Sequence, residues 1–300
     1  MNFVYAIMAH NAPEQLRALI DRLVREMASG DRIVLHLDRS SVLWREQRAQ
    51  FAMHPSGRVE LVENPVHVIW GHHSQVAAQL RMLETARKRP FDYYHFISGV
   101  DWPVLTRAQM MRDIANDGGD TIYAHIFGEQ QSERMQHWWF DERTLPPGHF
   151  PRLIENVTRA QVRLSWAASR WWEKAGFKRS LYAGQPWIKG ESWYSLPHDA
   201  ATVLCEEASA LMHSGRLRFT QCCDEHVAPT ILTRHFGRRI GPSHRYINWA
   251  AGGYHPKVLT REDETAIASS GAWFARKFDI AADPFFMADN AFKTGHEPAA

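Results

Sequence analysis

Residues 91–103 read FDYYHFISGVDWP, and this stretch decides the class of fold. An apolar, aromatic run typical of a buried strand stops abruptly at Ser98, where the pattern Ser-Gly-x-Asp-x-Pro begins. The turn places the carboxylate of Asp101 just beyond the carboxyl end of a strand. Open α/β sheets bind their ligands at this end, so we predict that Asp101 belongs to a ligand site.

The neighbours of Asp101 bear on whether that site holds a metal. Many nucleotide-sugar enzymes carry an Asp-x-Asp metal clamp at such a position. Here Gly99 stands two residues before Asp101 and Pro103 two residues after it, so neither supplies a second carboxylate. Two interpretations stay open: a site that holds a diphosphate without a metal, or a turn of another kind.

Strand and helix patterns alternate through the first hundred residues. Strand-like runs at residues 3–9, 32–38, 59–62 and 92–98 are separated by segments with helical patterns. This rhythm predicts an α/β fold with a mostly parallel, doubly wound central sheet flanked by helices. No repeat or linker divides the chain, so we expect one domain over residues 1–290 and a disordered tail at 291–300.

Composition excludes several classes of protein. The 300 residues are 45% apolar and include 12 Trp, enough for a sizeable core. A net charge of +2 argues against a nucleic-acid binder that depends on phosphate neutralisation. No run approaches the length of a membrane-spanning helix. The three cysteines give no disulfide framework, and no basic leader precedes the first strand, so we expect a cytoplasmic protein.

Two acidic positions have both a functional and a structural interpretation. Asp38 follows a strand and could accept hydrogen bonds from a ribose or uracil, or simply form the turn. In the pair Asp224-Glu225, Asp224 suits a helix N-cap, which would leave the Glu225 carboxylate in the first turn near a site. Glu225 could then serve as a general base, but both acids could merely complement the helix dipole.

Cations near the end of the chain are candidates for holding a diphosphate. Arg276 and Lys277 stand among aromatic residues, and Lys257 precedes an apolar pair. Such cations can stabilise a leaving diphosphate through charge-assisted hydrogen bonds, although a solvated surface pair gives the same pattern.

The histidines and tryptophans suggest two further sites. The 17 His make a metal site worth considering, with the pair His72-His73 as a candidate. This pair lacks partners at metal-binding spacing, so we predict no metal site. A predicted helix at residues 156–176 mixes Arg with Trp. It could lie on a membrane surface, giving a peripheral contact at the inner face of the membrane, or pack on the core. Of these two, we favour packing.

Taken together, these segments resemble the core-2/I-branching β-1,6-N-acetylglucosaminyltransferases and the related peptide O-xylosyltransferases. The similarity runs with gaps from Tyr5 to Asp279. It rests on the order of the following motifs: AIMAH at 6–10, HLD at 36–38, WGHHS at 70–74, ISGVDWP at 97–103, GESWYSL at 190–196, DE at 224–225, RYINW at 245–249 and RKFD at 276–279.

The resemblance implies a GT-A-type fold, a UDP-sugar donor, inversion at the anomeric carbon and catalysis without a metal or other cofactor. It makes Glu225 the catalytic base and Lys277 a ligand of the diphosphate. A second diphosphate ligand is Arg in the family pattern, and Lys257 stands nearest to it here. With these two lysines, the predicted donor-binding residues are Ala9, His10, Asp38, Ser98, Gly99, Asp101 and Arg276. The predicted acceptor-binding residues are Trp139, Glu142, Arg143, Glu191 and Trp249.

We therefore predict an inverting, metal-independent transferase that moves N-acetylglucosamine from a UDP-sugar to a saccharide hydroxyl. One alternative is transfer of xylose or another sugar to a bacterial polysaccharide or a lipid-linked acceptor. Another is a saccharide-binding protein that keeps the fold without catalysis. The mammalian members are anchored and disulfide-bonded, so this chain resembles their bacterial, cytoplasmic relatives. Its oligomeric state is not predicted.

Overall fold

The structure is a computed structural model. It describes residues 1–139, 163–164, 166–177, 179, 182, 184–249, 255–288 and 291–292. The acceptor candidates Glu142 and Arg143 lie outside the described residues, as do residues 293–300 of the predicted tail.

A seven-stranded sheet forms the centre of the molecule, in the order β3-β2-β1-β4-β7-β6-β8. Among these strands only β7 runs against its neighbours, pairing antiparallel with β4 and β6. The prediction of a mostly parallel sheet is confirmed. The strands are β1 (Phe3–Ala9), β2 (Arg32–Leu37), β3 (Val59–Leu61), β4 (Tyr93–Ser98), β6 (Ile122–Gly128), β7 (Lys189–Pro197) and β8 (Ile240–Gly241).

A second, three-stranded sheet lies beside the carboxyl end of β4 and was not predicted. It is built from β5 (Trp102–Pro103), β10 (Phe274–Arg276) and β9 (Arg245–Ile247), in the order β5-β10-β9. Because Ala275 pairs with Trp102, Arg276 lies next to the turn that contains Asp101. The small sheet therefore brings the end of the chain to the end of β4.

Helices cover both faces of the central sheet, as predicted. They are α1 (Pro13–Val24), α2 (Arg48–Ala52), α3 (Ser74–Ala86), α4 (Arg107–Asn116), α5 (Glu133–Gln136), α6 (His198–His213), α7 (Asp224–Phe236) and α8 (Glu264–Ala268). Shorter helical turns are found at Leu43–Gln47, Gly237–Arg239, Arg261–Asp263 and Phe285–Met287.

Strand β1 shows why both faces are covered. Val4 and Ala6 point into a core formed with α3, α6 and α7, whereas Phe3, Tyr5 and Ile7 point into a core formed with α1 and α4. All five are at most 2% exposed, so neither side of this strand faces water. Alternate side chains of a strand point to opposite faces, and an apolar run without polar alternation requires cover on both.

Helix α4 and strand β6 were missed by the sequence patterns. Only Met110 and Ile114 are buried on α4, so its apolar period is too weak to mark a helix. Strand β6 is buried only in its first three residues and then becomes exposed at His125. Helix α4 therefore carries little apolar signal, whereas β6 is an apolar run, IYAHIFG, to which no strand was assigned.

Gly190 sets the distance between β7 and α7. A Cβ at this position would lie 2.5 Å from the carbonyl oxygen of His125 and 2.7 Å from Cγ of Pro229 in α7. Contacts this short leave no room for a side chain, so glycine lets α7 pack directly on the strand. The start of α7, where Glu225 lies, therefore depends on this close approach.

We predict that Gly190→Ala lowers the free energy of unfolding by about 1–3 kcal/mol, because the added methyl group must displace backbone or Pro229. Gly237→Ala is the matched control, since its Cβ would meet nothing within 4 Å. We expect the control to change stability by no more than about 0.5 kcal/mol. Urea unfolding followed by tryptophan fluorescence measures both, and equal effects would contradict the packing argument.

Candidate active site

The carboxyl ends of β1, β2 and β4 come together as the sequence predicted. The amide of Asp38 donates to the carbonyl oxygen of Ala9 at 2.9 Å, and the amide of Gly99 donates to that of Met8 at 3.0 Å. A Cβ on Gly99 would lie 2.9 Å from Cβ of Ala9, so this approach requires glycine. His10 is exposed just beyond, and together these residues form one edge of the candidate site.

The carboxylate of Asp101 is directed into the protein. It is 1% exposed and accepts hydrogen bonds from the amide of Ser98 at 3.0 Å and its hydroxyl at 2.5 Å. Nε of Arg276 lies 3.3 Å from Oδ1 of Asp101, an ion pair without hydrogen-bond geometry. Asp101 therefore shapes the turn and pairs with Arg276, and a direct contact with a donor stays a prediction.

Asp38 also uses its carboxylate locally. Oδ1 accepts from the amide and the hydroxyl of Ser40, both at 2.7 Å, and Oδ2 accepts from the amide of Val68 at 3.1 Å. These bonds tie the loop after β2 to the segment before α3. They support the turn-forming interpretation of Asp38, while its binding to a donor stays a prediction.

A partly buried group of charges lies between the two sheets. The guanidinium of Arg276 stacks 4.1 Å from the ring centre of Trp193 on β7. Arg245 donates to the hydroxyl of Ser195 at 2.9 Å, and burial lowers the pKa of Arg245 to about 10, opposed by the charges of Asp101 and Glu191. Arg276 and Arg245 thus both reach from the small sheet to β7.

Glu191 is the acidic member of this group. Its side chain is 11% exposed, and Oε1 lies 3.3 Å from Nδ1 of His125. Burial raises the pKa of Glu191, and the nearby positive charges only partly offset that effect. Oε2 is buried without a hydrogen-bond partner among the described residues. A bound hydroxyl would satisfy this oxygen, which fits the predicted acceptor role.

The two candidate lysines differ in their surroundings. Nζ of Lys257 donates to both carboxylate oxygens of Asp263, at 3.0 and 2.9 Å, and these bonds raise the pKa of Lys257. Lys277 is half-buried, and its backbone carbonyl accepts from the amide of Leu259 at 2.8 Å. Within the described part of the chain, the Lys277 ammonium has no hydrogen-bond or ion-pair partner.

Glu225 lies in the first turn of α7, as predicted. Its Oε2 is 2.7 Å from Nη1 of Arg134 in α5 and 3.8 Å from Nζ of Lys189 at the start of β7. The side chain is 34% exposed, and no described residue donates a hydrogen bond to Oε1. Both cations therefore hold the same oxygen, which leaves the other oxygen available to a ligand.

Asp224 is not the N-cap that the sequence suggested. Cys223 occupies the cap position, and the Asp224 carboxylate is buried instead, accepting from the Ser192 hydroxyl at 2.7 Å and from Gln75 Nε2 at 3.2 Å. Its Oδ1 has no partner among the described residues. Burial, reinforced by the charge of Glu225, raises the pKa of Asp224 to about 6.

The segment between β3 and α3 connects the strand ends to α7. Val68 bonds Asp38, as described above. The carbonyl oxygen of Gly71 accepts from the amide of Cys222 at 2.8 Å, and the amide of Gly71 donates to the Gln75 side chain at 2.5 Å. Gln75 in turn contacts Asp224. This segment is thus hydrogen-bonded to Asp38 at one end and to the start of α7 at the other, which fixes Glu225 relative to the predicted donor edge.

The described aromatic candidates lie on opposite sides of the site. Trp139 follows α5, donates from its backbone amide to the carbonyl oxygen of Phe219 at 2.8 Å, and packs edge-to-face on Trp166 at 5.8 Å. Trp249 follows β9 and is 52% exposed. Trp139 is thus near the start of α7, and Trp249 is near the small sheet and Lys257, whose amide bonds Asn248.

Several residues of the site were not predicted from the sequence. Arg134 and Lys189 gave no signal, because a lone cation beside polar residues looks like ordinary surface. Arg245 and Trp193 lie inside motifs that carried the family resemblance, yet nothing in the pattern gave them a role. The pairing of β9 with β10, and the contacts of Arg245 and Arg276 with β7, show that these side chains lie at the site.

Metal ligands and membrane spans were also sought in the described part of the chain. There, no three His, Cys, Asp or Glu side chains lie close enough together to hold a metal ion. None of the helices described has the length and apolar character needed to cross a bilayer. The three cysteines are free and buried.

The raised pKa of Asp224 makes stability depend on pH. An unfolded Asp titrates near pH 4, whereas the buried Asp224 titrates near pH 6. Ionising Asp224 therefore destabilises the folded protein. This destabilisation is absent below pH 4 and complete above pH 6. Asp224→Asn removes this cost. We predict that the stability of the variant relative to wild type rises by roughly 2–3 kcal/mol between pH 4 and 7.5. Urea unfolding at both pH values tests this, and parallel pH profiles would contradict it.

Comparison with known proteins identifies the family. The crystal structure of the galactosyltransferase LgtC in complex with donor and acceptor sugar analogues covers 98% of this chain and 92% of its own, at 10% identity and a TM-score of 0.40. An active-site mutant of LgtC gives the same coverage, with 11% identity and a TM-score of 0.42. No curated protein matches significantly.

The model of the Core-2/I-Branching enzyme family matches residues 3–268, which is most of the chain. The predicted resemblance to this family and the predicted α/β fold with a mostly parallel sheet are confirmed. The chain belongs to the Core-2/I-branching family and is a glycosyltransferase.

Proposed function

We propose that this glycosyltransferase moves N-acetylglucosamine from a UDP-sugar to a saccharide hydroxyl in a single, inverting displacement. The acceptor oxygen forms a bond to the anomeric carbon while the bond from that carbon to the diphosphate oxygen breaks. The acceptor proton goes to Glu225, and the electron pair of the broken bond leaves with UDP. This assignment makes Glu225 the general base.

The environment of Glu225 is the observation that carries the proposal. A base must present one oxygen to the acceptor in a fixed direction, and a side chain with several rotatable bonds does so only if it is held. Arg134 and Lys189 hold Oε2 of Glu225. The preceding residue, Asp224, is anchored through its own buried carboxylate. No described residue donates a hydrogen bond to Oε1, so this oxygen can accept one from an acceptor hydroxyl.

Stabilisation of the departing UDP falls to Lys277. Arg276 is already paired with Asp101 and stacked on Trp193, and Lys257 is already bound to Asp263. Lys277 alone among these three cations has no acidic partner in the described part of the chain. A fixed positive charge at a developing negative charge can take the place of a metal ion, so we propose metal-independent catalysis with no other cofactor.

The remaining candidates divide between the two substrates. For the donor we propose the edge formed by Ala9, His10, Asp38, Ser98 and Gly99. Asp101 and Arg276 would support this edge, and Lys257 would assist Lys277 in binding the diphosphate. For the acceptor we propose Glu191, Trp139 and Trp249, together with Glu142 and Arg143, which lie outside the described residues. Glu191 is the best supported of these, because its buried oxygen lacks a partner.

Two other functions are tested by simple measurements. A different donor, such as UDP-xylose, or a lipid-linked rather than a soluble acceptor would keep the same chemistry. A panel of UDP-sugars in an assay of UDP release separates the donors. A saccharide-binding protein without catalysis would bind saccharide with no affinity for UDP, and calorimetry with UDP distinguishes it. A cytoplasmic location also stays a proposal.

We predict that Glu225→Gln lowers the rate of transfer by about 10²–10⁴-fold, because the amide cannot accept the proton. UDP affinity should be unchanged, since the Gln side chain keeps the size of Glu. Glu129→Gln, the same change at an exposed residue just after β6, is the matched control and should be fully active. Near wild-type turnover in Glu225→Gln would refute the assignment of the base.

We predict that Lys277→Met lowers turnover by about 10²–10³-fold, the usual effect of losing one electrostatic contact in the transition state. Lys257→Met should lower turnover much less, because Asp263 already pairs with that charge.

Wild type and both variants are assayed with and without EDTA. Loss of wild-type activity in EDTA, restored by manganese, would contradict metal independence, and equal effects of the two substitutions would contradict the choice of Lys277.

A further inference from the structure

The helical segment before β7 carries exposed apolar side chains that the transfer reaction does not use. Residues 163–164 and 166–174 are helical, within the segment where the sequence predicted a helix. Leu164 is 71% exposed and Trp171 is 64% exposed, and Phe177, just after the helix, is 53% exposed. Large apolar side chains in such numbers on one short segment mark an interaction surface.

The exposed side chains are sorted around the helix. Successive residues are about 100° apart, so positions seven apart share a face. Leu164 and Trp171 form an apolar stripe. Arg163 and Arg170 form a basic stripe about 100° around the helix from it, extended by Lys174 one turn later. All five side chains are exposed, and none of the three cations has an ion-pair partner in the described part of the chain.

The opposite face of the helix packs on the protein. Ser169 is 4% exposed, and Trp172 is half-buried and packs on Phe177 at 4.8 Å. Glu173, the acidic residue of the segment, is turned toward α5, where its carboxylate lies 3.7 Å from Nδ1 of His137. The outward face is therefore apolar and basic, and among the described residues no acid pairs with its cations.

We propose that this helix binds the surface of an anionic membrane. Trp and Leu suit the boundary between head groups and acyl chains, and neighbouring Arg and Lys suit anionic head groups. Trp and Arg are also common in protein interfaces, so a contact with another protein is the outcome that the test below has to separate from membrane binding. The arrangement is that of a helix that lies on a bilayer rather than one that crosses it.

The surface is next to the proposed active site. Trp166 on this helix packs on Trp139, and Trp139 bonds Phe219, five residues before Asp224. A membrane bound here would bring the start of α7 close to the bilayer. An acceptor carried on a lipid would then reach the site without leaving the membrane.

Flotation with vesicles tests the proposal on the full chain. Wild type should bind vesicles of equal parts phosphatidylglycerol and phosphatidylcholine, and binding should weaken in high salt. Each cation near an anionic surface contributes about fivefold in affinity, so Arg163→Ala with Arg170→Ala should lower binding by about 25-fold. Trp171→Glu should lower it at least as much. Arg112→Ala with Arg238→Ala, the same charge change at exposed residues of α4 and the turn after α7, should leave binding unchanged.

Three outcomes would overturn the proposal. They are failure of wild type to bind anionic vesicles, equal binding to vesicles of phosphatidylcholine alone, and equal losses in the helix and control variants. If ultracentrifugation shows a dimer that Trp171→Glu dissociates, with no vesicle binding, the face is a contact between copies instead. Glu225→Gln should bind vesicles like wild type, so this test is independent of the proposed chemistry.

Discussion

The buried ion pair between Asp101 and Arg276 is the constraint on which the site depends. A carboxylate that is 1% exposed must be compensated, or its loss of hydration would destabilise the fold. Two bonds from Ser98 and the charge of Arg276 provide that compensation. To reach Asp101, β10 has to pair with β5, and this pairing brings Lys277 to the end of β4 from far along the chain.

The buried carboxylate of Asp224 has a comparable role at the other side of the site. Asp224 joins β7 through Ser192 and α3 through Gln75, so the start of α7 is fixed by two elements. Glu225, the next residue, points the other way and stays one-third exposed between Arg134 and Lys189. One acid of the pair positions the helix, and its neighbour is the one that we propose as the base.

Sequence patterns predicted the parts of this fold that repeat a simple period. The buried runs of β1, β2 and β4 and the helices between them were predicted, because apolar periodicity is local. The small sheet was not predicted, since β5 and β9 are two and three residues long and form only by pairing with β10.

The same division between local and long-range features holds for the site residues. Glu225 and Lys277 were found from motifs, whereas Arg134 and Arg245 were identified only from long-range contacts. The expected N-cap at Asp224 was wrong because burial beside Ser192 outweighed local capping.

The pairing of charges distinguishes structural cations from those available to a ligand. The net charge is only +2, so overall attraction of anions is weak and local imbalance decides. Arg276, Lys257 and Arg134 each face a carboxylate. Among the described residues, Lys277 and the basic stripe of the Trp-containing helix lack such a partner. The unbalanced charge at Lys277 suits a diphosphate in the site, and that of the stripe suits lipid head groups outside it. On our two proposals, a diphosphate and lipid head groups would balance positive charge that no described residue balances.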